Sequence, residues 1–205
     1  DVCSSDLLPR WFMQNFVGSE TQADYARMEA EAVNIPAGAE GLLLLPYFMG
    51  ERTPVWDESA SGLFMGLSLT HTRGHLYRAI LESSAFALRD IIASIAGETK
   101  VDRVYLTGGG AKSPLWRQIF ADVTGLTVLS PVNPLEAPMG DALMAGLATG
   151  VIDRPEHIAT WTEMGAPVVP NAENHARYTR LFEVYHSVYQ HAKGDMKALR
   201  DAVRM

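Results

Sequence analysis

The chain has 205 residues, enough for one domain with a substantial core, and its 47% hydrophobic and 20% charged content is that of a globular protein rather than a disordered one. With 17 basic against 24 acidic residues the net charge is −7, and the basic residues are scattered, so nucleic acid and anionic membrane are excluded as expected partners. The lone Cys3 excludes an internal disulfide framework, no apolar run approaches the roughly 20 residues of a membrane span, and no signal peptide opens the chain, which together predict a cytoplasmic protein.

In chain order, Asp1 to Asp6 are polar and uncommitted, and an amphipathic stretch with Trp11, Phe12 and Phe16 follows. Thr21 to Val33 mixes acidic and apolar residues at helical spacing. Gly41 to Phe48 reads as a buried strand interrupted by Pro46, and Gly50 to Ser61 as a loop. From Thr72 to about Ala96 one face carries Leu76, Ile80, Ala87 and Ile91, the period of a helix. A strand over Val101 to Thr107 runs into Gly108-Gly109-Gly110-Ala111-Lys112-Ser113. Ser113 is placed to cap a helix with Pro114 at its first position, and Gly125 to end it. Leu126 to Leu129 is the next strand. A turn with Pro131, Pro134 and Pro138 leads to a small-residue helix from Gly140 to Gly150, and a last helix runs from His175. Strands alternating with helices predict parallel strands and an α/β fold. Those near Leu43 and Phe64 are candidates to join the same sheet, which still falls short of the usual about five or six strands.

The glycines after a buried strand let backbone approach a phosphate or ribose, and the helix N-terminus behind them offers unpaired N–H groups. Gly110, the last glycine before the helix, is the residue expected to come closest. The turn is not a P-loop, because Lys112 follows Ala111 and no Gly-Lys-Ser is present. Nor is it a dinucleotide fingerprint, since the following strand ends at Ser130 with no acid for a ribose. Taken alone, such a turn is more often tight-turn chemistry than a nucleotide site.

Residues 62 to 82, GLFMGLSLTHTRGHLYRAILE, resemble a signature of the FGGY carbohydrate kinases, with Gly62, Phe64, Gly66, Leu67, His75, Leu76, Ala79 and Glu82 in its fixed places. LTGGGAKSPLWRQIFADVTGLTV resembles the adenosine-binding segment of that family, through Gly108 to Ala111, Gln118 and Ala121-Asp122. PLEAPMGDALMAG resembles its closing segment through Glu136 and Gly140-Asp141-Ala142. The resemblance implies an actin-like ATPase (ribonuclease H-like) domain, short on its N-terminal side. Residues 1–7 form an uncertain junction and residues 8–205 the C-terminal nucleotide-binding domain of a sugar kinase. It implies ATP and Mg2+ as cofactors, and a nucleotide site at Gly108, Gly109, Gly110, Ala111 and Gln118. The catalytic aspartate and the sugar site belong to the N-terminal domain, so no catalytic residue is expected here. The GERTPVWD and THTRGHLYRA segments look most like pentulose kinases of the xylulokinase type. A sugar reached through that other domain is the implied partner, and a homodimer is left open.

His71 and His75 stand four apart, but with no third ligand nearby a capping or buried hydrogen-bonding role outweighs metal binding. Asp57, Glu58 and Asp141 read as solvated or capping carboxylates, Asp141 at a helix start. Trp116, beside the glycine turn, is more often core than an adenine platform, and Cys3 has no base partner that would make it a nucleophile. Two other classes compete with a kinase: a non-catalytic nucleotide-binding actin-like module, and a Rossmann-type oxidoreductase domain.

Overall fold

The computed structural model describes residues 7–95, 100–132 and 136–203, with Glu136 and Ala137 as backbone only. The Asp1–Asp6 junction, Cys3 and Pro134 lie outside the described residues. Helix α1 (Leu7–Phe12) begins within the expected junction and continues as a π-helical turn over Met13–Val17, ended by left-handed Gly18. Thr21 caps α2 (Gln22–Val33) by accepting from the Asp24 amide at 3.3 Å. Its Glu31 then holds Arg73 Nε at 3.0 Å, which ties α2 to the start of α3 (Arg73–Ile95).

Between these helices, strand β1 (Leu43–Leu45) is buried along its whole length and pairs antiparallel with β2 (Leu63–Met65), Leu44 opposite Phe64. The expected Gly41–Phe48 strand is thus cut to its three leucines, because Gly41 belongs to a 3-10 turn and Pro46 cannot continue the ladder. Gly66 ends β2 at φ +91°, where an added Cβ would run into the Gly41 carbonyl oxygen.

The second sheet is β3 (Arg103–Tyr105) parallel to β4 (Thr127–Leu129), joined through a single turn α4 (Gly109–Lys112) and α5 (Pro114–Thr124). The far side of β4 is bridged by Val168. Among the described residues β1 and β2 do not join this sheet, contrary to expectation: β1 is enclosed by α3 and α8 and spends its ladder on β2. Ser113 caps α5 by accepting from the Trp116 amide at 3.0 Å, and Gly125 ends it in the left-handed conformation, both as the sequence indicates. Helix α6 (Glu136–Thr149) starts four residues before Gly140, so Asp141 lies in its second turn and is not a helix-start residue. After one short turn, α7 (Ile158–Trp161), comes α8 (Ala172–Ala202), which starts three residues before the expected His175 and is capped by Asn171. No helix of the described residues is long and apolar enough to cross a membrane.

Long α8 runs across α5 and β1, and its tyrosines reach through the core. Tyr185 Oη pairs with Tyr47 Oη at 2.9 Å, while Tyr189 Oη donates to Asp57 Oδ2 at 2.8 Å. Asp57 also accepts from the Ser59 amide at 2.8 Å, and Arg200 donates to the Glu58 carbonyl, so α8 fastens the 50–61 loop. The Tyr189 hydrogen bond, and then the Ser59 amide, hold the Asp57 carboxyl below its ordinary 3.8. A carboxyl depressed by folding stabilises above its unfolded value and loses that contribution as pH falls through the folded one. The urea midpoints of wild type and Tyr189→Phe should therefore differ by a constant amount from pH 5 to 7 and converge below pH 3.8. A difference that persists undiminished at pH 3 would mean that Tyr189 acts by packing alone.

Candidate functional site

The parallel ladder extends one residue past β3, Leu106 N donating to Leu129 O at 2.8 Å, and then the chain must turn sharply. Gly108 makes that turn at φ +76°, ψ −158°, a region that is essentially closed to residues with a Cβ. The turn lies outside the carboxyl ends of two parallel strands, where ligands bind in open α/β sheets. Gly109 is exposed there, whereas Gly110 and Ala111 are buried and Ala111 N donates back to Gly108 O at 3.2 Å.

Gly110, singled out from sequence, has a packing reason to be glycine: an added Cβ would stand 3.3 Å from Cε3 of Trp116. Trp116 is itself core. Its Nε1 donates to Leu81 O at 3.0 Å and Ser84 Oγ at 2.9 Å, and its ring stacks on Phe120. The small centre of α3 at Ser83-Ser84-Ala85 is what lets the indole come so close.

The N-terminus of α5 is not the open anion site that its position suggests. Glu29 of α2 reaches it, and its Oε1 accepts from the Leu115 amide at 3.0 Å and from Ser113 Oγ at 2.7 Å. That carboxylate takes the place a phosphate would use, so the amides left for a ligand are those of the turn. Nothing in local spacing marks Glu29, which stands 84 residues before Ser113.

Gln118 sits about one turn further along α5. Its Nε2 donates to Asp122 Oδ1 at 2.7 Å and to Val169 O at 3.0 Å. Asp122, only 2% exposed, also accepts from the Asn171 amide at 2.7 Å and Asn174 Nδ2 at 2.8 Å, which pins the start of α8 to α5. Asp122 was legible only as part of the resemblance, and its anchoring role needed the fold.

The histidines turn inward to backbone. His75 Nδ1 accepts from the Thr72 amide at 3.1 Å at the head of α3, and His71 Nδ1 accepts from Ser68 N at 3.1 Å. Asp57 serves the loop anchor described above, and Asp141 is exposed on α6. The side chain of Glu136 lies outside the described residues.

A glycine turn closing a parallel β-α-β unit, with helices packed on a hydrophobic core, gives the chain the mixed helix-and-sheet architecture of the actin-like ATPase, ribonuclease H-like class. The match to known proteins narrows this. Residues 2–149 fit the model of the FGGY family of carbohydrate kinases, C-terminal domain. The chain is 35% identical to the xylulose kinase of Bacillus subtilis over 93% of its own length and 38% of that protein's. The crystal structure of xylulose kinase from Rhodospirillum rubrum superposes with a TM-score of 0.80 at 33% identity, over 92% of this chain and 38% of that one. Gluconate kinase from Lactobacillus acidophilus does so with a TM-score of 0.78 at 27% identity, over 94% and 39%. The chain belongs to the FGGY family of carbohydrate kinases. It spans about 38% of the length of the curated relatives it matches.

Proposed function

We propose that this chain is the ATP-binding C-terminal half of a cytoplasmic carbohydrate kinase that transfers the γ-phosphoryl group of ATP to a sugar hydroxyl, with a pentulose such as xylulose as acceptor. The observation that carries the reading is Gly108, a glycine-only turn at the carboxyl end of a parallel strand. The acceptor is inferred from the xylulose kinases among the relatives.

In this reading Gly108, Gly109, Gly110 and Ala111 hold the nucleotide through backbone, and Gln118 contributes its side-chain oxygen, its nitrogen being committed to Asp122 and Val169. Glu29 at the head of α5 directs the phosphates away from that helix, because two anions there would repel. Mg2+ arrives on the nucleotide. Among the described residues no cluster of three or more His, Cys, Asp or Glu assembles that could hold a metal. The sugar and the base that deprotonates its hydroxyl come from the other domain, and domain closure excludes the water that would otherwise compete.

Equilibrium dialysis of the purified chain against millimolar MgADP, with a parallel assay of D-xylulose phosphorylation, tests this. Retention of ADP without turnover is expected. A folded chain that retains no nucleotide refutes the site. Turnover at the about 1–100 per second of complete kinases refutes the division of labour.

A further inference from the structure

The head of α5 meets a charge that the fold answers without a cation. Glu29 of α2 is half-buried, and among the described residues it makes no ion pair. Its Oε1 accepts instead from the Leu115 amide at 3.0 Å and the Ser113 hydroxyl at 2.7 Å, at the positive end of an 11-residue helix. The rest of that first turn is already satisfied. Pro114 has no N–H, Trp116 N donates to Ser113 Oγ at 3.0 Å, and Arg117 N donates to Ser113 O at 3.0 Å. The carboxylate therefore completes the hydrogen bonding of the α5 head, and it does so from another helix. Its charge is also felt inside the domain: after burial, it is the next influence that pushes the Tyr77 hydroxyl above its ordinary value.

Helix α2 is clamped in its turn. Glu31 holds Arg73 Nε at 3.0 Å, and Gly74 brings the head of α3 so near that an added Cβ would stand 3.2 Å from Glu31 Cβ. From that fixed helix Glu29 fastens Ser113, the residue at which the glycine turn gives way to α5. The other end of the turn is fastened by Leu106 N on Leu129 O at 2.8 Å. We propose that Glu29 is a positioning residue for the nucleotide, a built-in anion that fixes the far end of the glycine turn through Ser113 and keeps free phosphate from the α5 amides. It acts through the Ser113 hydroxyl and touches no ligand itself. Glu29 serves this role only if the turn binds nucleotide as proposed above, so one arm of the test uses no nucleotide.

In the purified chain, Glu29→Ala vacates the anion position. Its ADP affinity by equilibrium dialysis should fall about tenfold, the effect of one charge-assisted hydrogen bond. Formate should restore most of that loss where chloride at equal ionic strength does not, a rescue that a merely structural side chain would not show. Ser113→Ala cuts the same link from its other end. It should also lose affinity, gain nothing from formate, and add nothing to Glu29→Ala in the double variant. The arm without nucleotide is hydrogen exchange of the Leu115 amide. Formate or inorganic phosphate should slow it about tenfold in Glu29→Ala and leave it unchanged in wild type. A Glu29→Ala chain that binds ADP within about threefold of wild type overturns the proposal, as does a loss that formate cannot repair or a Leu115 amide that neither anion protects. A wild type that retains no ADP refutes the nucleotide reading instead, and Leu115 exchange still decides whether Glu29 fills an anion position. Should the alanine variant not fold, Glu29→Gln, which fills the position with a neutral acceptor, carries the test. A loss of about threefold or more that formate leaves untouched supports the proposal, and an affinity equal to wild type overturns it.

Discussion

Replacing Glu82 by alanine is expected to destabilise the fold by about 3–5 kcal/mol, the cost of leaving a buried charge without its partner. Glu82 is 2% exposed, and its Oε1 accepts from Arg78 Nε at 2.7 Å, Tyr178 Oη at 2.7 Å and the Gly38 amide at 3.0 Å. One carboxyl thereby joins α3 to α8 and to the turn that leads into β1. Burial pushes it above the ordinary carboxyl range, and Arg78 pulls it back. Without it the Arg78 guanidinium, buried with it, keeps only Tyr178 Oη at 2.9 Å and a long contact to Ala32 O at 3.4 Å. Two controls separate charge from shape. Glu82→Gln retains an acceptor and should fall between wild type and alanine. Arg78→Met combined with Glu82→Leu removes both charges and should recover much of the loss, because a well-packed apolar pair often matches a buried ion pair. Urea denaturation measures all of these. A Glu82→Ala midpoint corresponding to less than about 1 kcal/mol would show that the pair is dispensable.

That prediction bears on what the sequence revealed. The stretch from Gly62 to Glu82 is the most recognisable in the chain, and in the structure it builds architecture rather than chemistry. Phe64 lies opposite Leu44, Gly66 lets two backbones meet at Gly41, His75 caps α3, Ala79 is core, and Glu82 closes the ion pair. Helix ends were equally legible, because Ser113, Pro114 and Gly125 act through neighbours in sequence. Two features are hidden from a local reading because the deciding contact is distant along the chain: Glu29 closes the head of α5 from 84 residues away, and β1 pairs with β2 instead of the parallel sheet. No periodicity reports such choices. The start of α6, four residues before Gly140, is hidden for a local reason: small apolar residues without a buried face give no amphipathic boundary.

Gly108→Val is expected to lower nucleotide affinity at least a hundredfold, equivalent to about 2.8 kcal/mol. The backbone at φ +76°, ψ −158° cannot be held by a β-branched residue without about 1–3 kcal/mol of strain, so the turn relaxes and its amides leave the positions proposed to meet the phosphates. The loss should appear mainly in binding, since the β3 ladder to β4 ends at Leu106, before the glycine, and α5 keeps its own cap from Ser113 and Glu29. Gly110→Val makes the contrast. Its added atoms press on Trp116 and loosen that indole from Leu81 O and Ser84 Oγ, so it should lower the urea midpoint as well as the affinity. ADP affinity by equilibrium dialysis, with near-ultraviolet circular dichroism to certify the fold, distinguishes the two variants. If Gly108→Val bound ADP within about threefold of wild type, less than 1 kcal/mol, the strained glycine would be tight-turn chemistry alone and the nucleotide would have to sit elsewhere on the domain.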